Sequence, residues 1–351
     1  MSVASSRRAT SASQAGVAEA ALVALTKGNA VDAVVAGVFA AAAMSPSVLL
    51  GPVQVLVGGA GAGVRAVDGR NHQPGRGVAR PRGFLSEDEI PPAARVAAPA
   101  LVAALAAALA TCGIGAMRAA LGPALELAPT FSEPRARLLK RIAQSGALAL
   151  SSKSVAEELI AAAGRIAGGV LSQADLDDLR PVVTTCAMRS VGERGVATVP
   201  WGAEAVRDAA SEQLDASHVE IVAAADGRGL VAVACYEVAA SDDGLVIAEL
   251  GLVAPPGAKP VMRGETRVRP GEPRAAAAPI ALSESEGIID VALGVAHSAR
   301  AEHAIAEFLA FIGRGETIEA ALIGSSTDPH AMPLVAGVAR TRVAARAFRS
   351  G

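Results

Sequence analysis

The segment Ala30–Met44, Ala-Val-Asp-Ala-Val-Val-Ala-Gly-Val-Phe-Ala-Ala-Ala-Ala-Met, is apolar on nearly every side at helical spacing. A helix of that kind has no face for water and must be covered all round. Asn29 and Asp32 open it. A second helical pattern ends just before it, with Ser13 as N-cap and Gly28 as its stop after Lys27. Two helices back to back, one of them apolar throughout, make a layer that lies on something flat. The flat element follows at once: Val53–Val57 and Gly63–Val67 read as strands joined by the glycine-rich turn Gly58–Gly63.

Further along, helices are predicted over Pro99–Thr111, Ala116–Leu127, Ser132–Gln144 and Val155–Ala167. Ser172-Gln-Ala-Asp175 has the form of a capping box that opens a short helix to Asp178. Strands then take over at Val182–Met188, Gly195–Val199, His218–Ala224, Leu230–Glu237 and Gly244–Val253, with Asp226-Gly227 as a hairpin turn. Two more strands, Ile280–Ser283 and Ile288–Leu293, precede helices Ala301–Ile312 and Thr317–Leu322. The Arg-rich tail from Ser325 reads as loosely ordered. This order describes a layered α+β domain with its sheets inside. No repeat or compositional break divides the 351 residues. They read as one domain, with a mainly helical part over 1–181, a strand-rich part over 182–324 and the tail over 325–351.

The chain is 52% hydrophobic but only 2% aromatic, so its core is built from small side chains that need close approach between elements. The 32 basic and 34 acidic residues are spread along it and leave a net charge of −2, which excludes nucleic acid or an anionic membrane surface as the main partner. Cys112, Cys186 and Cys235 have no short spacing. They suit a reducing compartment and form neither a disulfide framework nor a metal site, and nothing in the sequence asks for a cofactor. Arg7-Arg8 is followed by polar residues over Thr10–Gly16 rather than by an apolar stretch, and Val96–Ala110 is too short and Ala-rich to span a bilayer. A soluble cytoplasmic protein is expected.

The stretch that bears on function is Leu214–Ala223, Leu-Asp-Ala-Ser-His-Val-Glu-Ile-Val-Ala. Its second half roughly alternates apolar and polar residues, the mark of a half-buried strand, and it opens on Ala216-Ser217 with His218 next. Whether the Ser217 hydroxyl is a catalytic group is the question the stretch poses.

Several strings in order resemble the γ-glutamyltransferase (γ-glutamyltranspeptidase) family. These are Ala12-Ser-Gln-Ala-Gly16 with Lys27-Gly-Asn-Ala-Val-Asp-Ala33, Asp68-Gly-Arg-Asn-His-Gln-Pro74, and Gly168-Gly-Val-Leu-Ser-Gln-Ala-Asp-Leu-Asp-Asp-Leu-Arg180. Asp226-Gly227 and Arg267-Val-Arg-Pro-Gly271 also fall where the family has similar strings. The resemblance implies a four-layer αββα sandwich of the N-terminal-nucleophile hydrolase type. In that family a Thr at the start of the central strand cleaves the precursor. It then attacks a γ-glutamyl amide with its own α-amine as base, and an oxyanion hole stabilises the intermediate. The resemblance also implies that Arg70 grips a substrate α-carboxylate, that Glu237 lies among the substrate-binding groups, and that Gly58–Gly63 is the turn beneath the site.

The chain departs from that pattern where the chemistry sits. The nucleophile position is Ala216, and Ser217 comes one residue late, which in a strand turns its side chain to the other face. The substrate serines correspond to Pro273-Arg-Ala-Ala-Ala277, with both hydroxyls gone. The oxyanion-hole Gly-Gly pair corresponds to His297-Ser298, whose side chains crowd a backbone that must approach a ligand closely. The supporting Thr and Asn fall near Cys235 and Glu237, and segments around 130–150 and 200–215 look trimmed. Arg70 remains, either as a carboxylate grip or as the partner of Asp68.

The sequence therefore points first to a degenerate, non-catalytic member of this family, a binding or structural subunit that self-associates or meets a partner protein and takes a small amino-acid-like ligand. The alternative is an active amidohydrolase or γ-glutamyl transferase using Ser217 as nucleophile after self-processing. A third reading is a new chemistry in which Cys235, Glu237 or His297 acts, with His303 nearby. Trp201 and Tyr236, the only Trp and Tyr, are candidates for a contact surface.

Overall fold

The computed structural model describes residues 6–61, 63–79, 81–201, 218–239, 244–298, 300–324 and 334–350. Its first sheet runs in the order β1 (Ala9–Ala12), β7 (Val219–Ala225), β8 (Leu230–Glu237), β2 (Val53–Gly59), β3 (Val64–Gly69), β4 (Val182–Thr185). The second runs β14 (Ala345–Arg349), β13 (Leu334–Arg340), β12 (Ile288–Ala296), β11 (Ile280–Ser285), β6 (Arg194–Thr198), β5 (Arg189–Val191). Every pairing in both sheets is antiparallel.

Helices α1 (Ala15–Lys27), α2 (Ala30–Met44) and α3 (Leu101–Cys112) cover the outer face of the first sheet, and α4 (Ala301–Gly313) and α5 (Ile318–Gly324) cover the second. Alternate residues show the layering. Val222, Ala224, Ala234 and Tyr236 join the core under α1–α3, while Ile221, Ala223, Val233 and Cys235 join the core between the sheets. The four-layer αββα sandwich expected from the sequence is the observed architecture.

Helix α2 is covered all round because α1, α3 and the first sheet enclose it: Ala30–Ala43 are buried without exception. Its start is a complete capping box. Asn29 accepts from the N–H of Val31 and Asp32, and Asp32 accepts from the N–H of Asn29. Gly37 lets α2 settle onto the central strand, since a Cβ there would stand 2.9 Å from a methyl of Val222. This is the close approach that a core of small residues requires. Among the described residues no helix is long and apolar enough to cross a membrane.

Four expectations are corrected. The central strand β7 is buried along its whole length, Glu220 included, because a layer covers each face; the alternation in the sequence does not mark a solvent face. Gly244–Val253 is not one strand but a short hairpin of β9 (Leu245–Ile247) and β10 (Leu252–Ala254) around one 3-10 turn. The tail is not loosely ordered over its described part: β13 and β14 form one edge of the second sheet, with Val335, Val338 and Phe348 buried. The helix N-cap is Gln14 rather than Ser13, and β1, which the sequence reading missed, ends just before it.

Candidate functional site

The start of β7 is fastened on both edges. Towards β8, Val219 stands opposite Glu237, and His218 O accepts from Val238 N at 2.8 Å. On the other edge β1 pairs only as far as Ala12 opposite Val222. Ser13 continues the ladder, donating its N–H to Ile221 O at 3.1 Å while its Oγ accepts from Ile221 N at 3.0 Å. At Val219 O the N–H of His297 takes over at 3.1 Å, so the end of β12 in the second sheet completes the edge of the central strand in the first. Ala216 and Ser217 lie outside the described residues, and His218, the first described residue after them, is exposed.

A row of polar groups crosses the first sheet in register, facing the second sheet: Cys235 opposite Gln54, and Gln54 opposite Asp68. Gln54, buried, binds the loop above it. Its Nε2 donates to Ala277 O at 3.1 Å and Ala276 O at 3.4 Å, and its Oε1 accepts from Trp201 Nε1. The segment that stands where the family has its substrate serines is therefore held through its backbone carbonyls, and Arg274 N ties it to Asn71 O at 2.7 Å.

Arg70, just past the end of β3, forms a fork with Asp68, Nε to Oδ1 at 3.0 Å and Nη2 to Oδ2 at 2.8 Å, and its guanidinium lies 5.6 Å from the Trp201 ring centre. Of the two roles the sequence left open for Arg70, the structure shows the local pair made. Glu237 closes β8, half-buried, with its N–H on Pro52 O.

The third chemistry is not assembled. Burial pushes the Cys235 thiol up to about 12, which removes thiolate character at neutral pH. Its Sγ faces Ala277 O at 4.0 Å, while the imidazoles of His297 and His303 go elsewhere, to Glu220 and Glu307 at 3.2 Å each. Cys186 and Cys112 are also raised by burial. Among the described residues no group of His, Cys, Asp and Glu is arranged to hold a metal.

His297 adopts φ +57°, a left-handed conformation that suits glycine and costs a non-glycine residue about 1–2 kcal/mol. The backbone thus keeps a glycine-like shape at the position where the family has glycine. The side chain does not crowd that backbone but turns to Glu220 Oε1, which also accepts from Gln14 Nε2 at 3.0 Å. Among the described residues Glu220 Oε2 is buried without a hydrogen-bond partner, and the cross-strand Tyr236 hydroxyl is buried with only Ser13 near enough to lower its pKa. Burial, with Glu220 beside it, holds Tyr236 well above its usual value. Sequence reasoning missed Glu220; the signal was its presence as the one charged residue in an otherwise apolar strand. Trp201 and Tyr236 are both buried, so neither forms a contact surface. Gly58–Gly63 is at the opposite end of the sheet from the start of β7, since Gly59 pairs with Leu230 and approaches Gly229 O. It does not underlie the site.

His72, two residues beyond Arg70, exchanges backbone hydrogen bonds with Ala98 at 2.9 Å. Burial lowers its pKa below 6.5, with Asp68 partly offsetting and Arg76 and Arg70 adding to the drop. A group whose folded pKa is depressed stabilises the fold above its unfolded value and loses that contribution as pH falls towards the folded one. Folding stability is expected to decline as pH drops below about 6.5, and His72→Gln, measured by urea unfolding at pH 7.5 and 5.5, is expected to flatten that slope.

No protein-family model and no curated protein matches the sequence. Solved structures do match. Cephalosporin acylase from Bacillus halodurans superposes with a TM-score of 0.73 at 14% identity, over 99% of this chain and 94% of that one. LmbA2991HD gives 0.74 at 15% identity, over 100% and 99%. A gamma-glutamyltranspeptidase from Pseudomonas nitroreducens matches 57% of this chain and 75% of that one at a TM-score of 0.46 and 21% identity, too partial a likeness to weigh. The two long matches run over nearly the full length of both partners, so the trimmed segments remove no layer of the fold. With its two antiparallel sheets between helical layers, the chain has the αββα fold of the N-terminal-nucleophile hydrolases.

Proposed function

We propose that this chain is a non-catalytic protein on a hydrolase scaffold, a γ-glutamyltransferase-like binding or structural subunit that neither cuts itself nor transfers or hydrolyses γ-glutamyl amides. The observation that carries the proposal is the state of Arg70. A guanidinium forked through Nε and Nη2 onto Asp68 and lying against Trp201 already has the edge that would grip a substrate carboxylate occupied. Its neighbours support the same conclusion. The amide of Gln54 is spent on Trp201 and the Ala276–Ala277 carbonyls, the Cys235 thiol is inert, and His297 is turned to Glu220.

The test is intact mass spectrometry of the purified protein after prolonged incubation at neutral pH. One species at 34.9 kDa is expected. Two fragments, the second beginning at Ser217, would overturn the proposal in favour of a self-processed amidohydrolase.

A further inference from the structure

The end of the sandwich away from the start of β7 carries a second, unrelated concavity. Three segments remote in sequence meet there: Arg7 ahead of β1, the β7–β8 turn Asp226–Gly229, and the β13–β14 turn from Arg340 to Ala344. They enclose a polar cavity of about 120 Å³. Four arginines line it, Arg7, Arg228, Arg340 and Arg342, against one carboxylate, Asp226.

We infer that this cavity binds a phosphate-class oxyanion. The charge is uncompensated from within: Arg7, Arg228 and Arg342 are exposed and make no ion pair among the described residues. Arg340 is fixed instead of swinging free, because its Nη1 donates to Gly229 O. The single acid does not neutralise the group either. Asp226 is buried, and its Oδ1 accepts from Arg228 N at 2.8 Å and Leu230 N at 3.0 Å, which shapes the turn.

Guanidiniums repel one another when gathered, and a chain with a net charge of −2 has no general excess of positive charge to scatter over its surface. An anion with several acceptor oxygens removes that repulsion and satisfies several guanidinium forks together. The volume admits one tetrahedral oxyanion and little else, so any ester group would project into solvent.

Asp226 also sets the class. A carboxylate in the wall opposes a fully ionised anion but accepts from one that still carries a proton, as monohydrogen phosphate does and sulfate does not.

The test is calorimetric titration of the full-length protein with inorganic phosphate at constant ionic strength. Saturable one-to-one binding is expected, weaker by about ten-fold for each guanidinium removed in Arg7→Gln and Arg342→Gln, whose exposed side chains the fold does not need. Absence of saturable heat, unchanged binding in the double variant, or sulfate binding as tightly as phosphate would each overturn the inference. Glycerol 3-phosphate, whose dianion carries no proton for Asp226 to accept, is expected to compete poorly with phosphate at pH 7.5, and competition as tight as that of phosphate itself would overturn the inference.

Discussion

Asp68→Ala is expected to cost about 3–5 kcal/mol of folding stability, far beyond the effect of a surface ion pair. The two side chains are 11% and 7% exposed, so removing the carboxylate leaves a guanidinium in a poorly hydrated place with no other ion pair among the described residues. It also takes away the acceptor of Arg70 N at 2.9 Å, which fixes the chain as it leaves β3. Replacing the pair together, Asp68→Leu with Arg70→Met, keeps apolar contact with Trp201 and leaves no charge buried. That double variant is expected to recover most of the loss. Urea unfolding of wild type, single and double variants gives the comparison. A loss of less than about 1 kcal/mol in Asp68→Ala would show that Arg70 is not held by Asp68 but is available to an external anion, and the non-catalytic proposal would lose its main support.

How much of this was legible in the sequence depends on the range of the interaction. Ala30–Met44 was found to the residue, because apolar on every side means buried on every side and Asn29 and Asp32 mark its start. The layered class followed from that helix and the strand runs. The burial of β7 was not legible: Glu220 broke the apolar run and imitated the alternation of a half-exposed strand, while its partners Gln14 and His297 come from distant elements. The tail misled for another reason. In Ala345–Arg349 the arginines face water at a sheet edge and only Phe348 turns inward, so composition hid a strand that an edge position makes reasonable.

At the site, the Arg70–Asp68 fork could be weighed because the residues are two apart, whereas Gln54 drew no notice. Its role comes from standing in register between Cys235 and Asp68 beneath a loop more than two hundred residues away, a placement no local pattern records.

Asp32→Ala is expected to be about as damaging as Asp68→Ala, for a different cause. Asp32 is buried, yet its carboxylate makes no ion pair among the described residues; three backbone N–H groups hold it, those of Asn29 at 2.8 Å, Ile114 at 3.2 Å and Gly115 at 2.9 Å. The first belongs to the start of α2 and the others to the turn after α3, so one carboxylate joins two helices at the edge of the helical layer. The contact is close: a Cβ on Gly28 would lie 2.6 Å from Asp32 Cβ, and one on Gly115 would lie 2.9 Å from Asp32 Oδ1. An alanine there leaves three donors without an acceptor, and hydrogen bonds to a charged group are worth about 1.5–3 kcal/mol each. Partial rehydration at Ile114 and Gly115, which lie on the exposed side, lowers the net loss to about 3–5 kcal/mol. Asp32→Asn keeps one acceptor oxygen but turns an amide donor towards N–H groups, so it is expected to lose about half as much. Urea unfolding ranks the three proteins, and hydrogen exchange at Ile114 and Gly115 locates the effect. Fast exchange there in Asp32→Ala, with the strands of the first sheet still protected, is the expected pattern. Equal stability of Asp32→Ala and wild type would mean that the capping box and the α3 turn stand without their shared carboxylate.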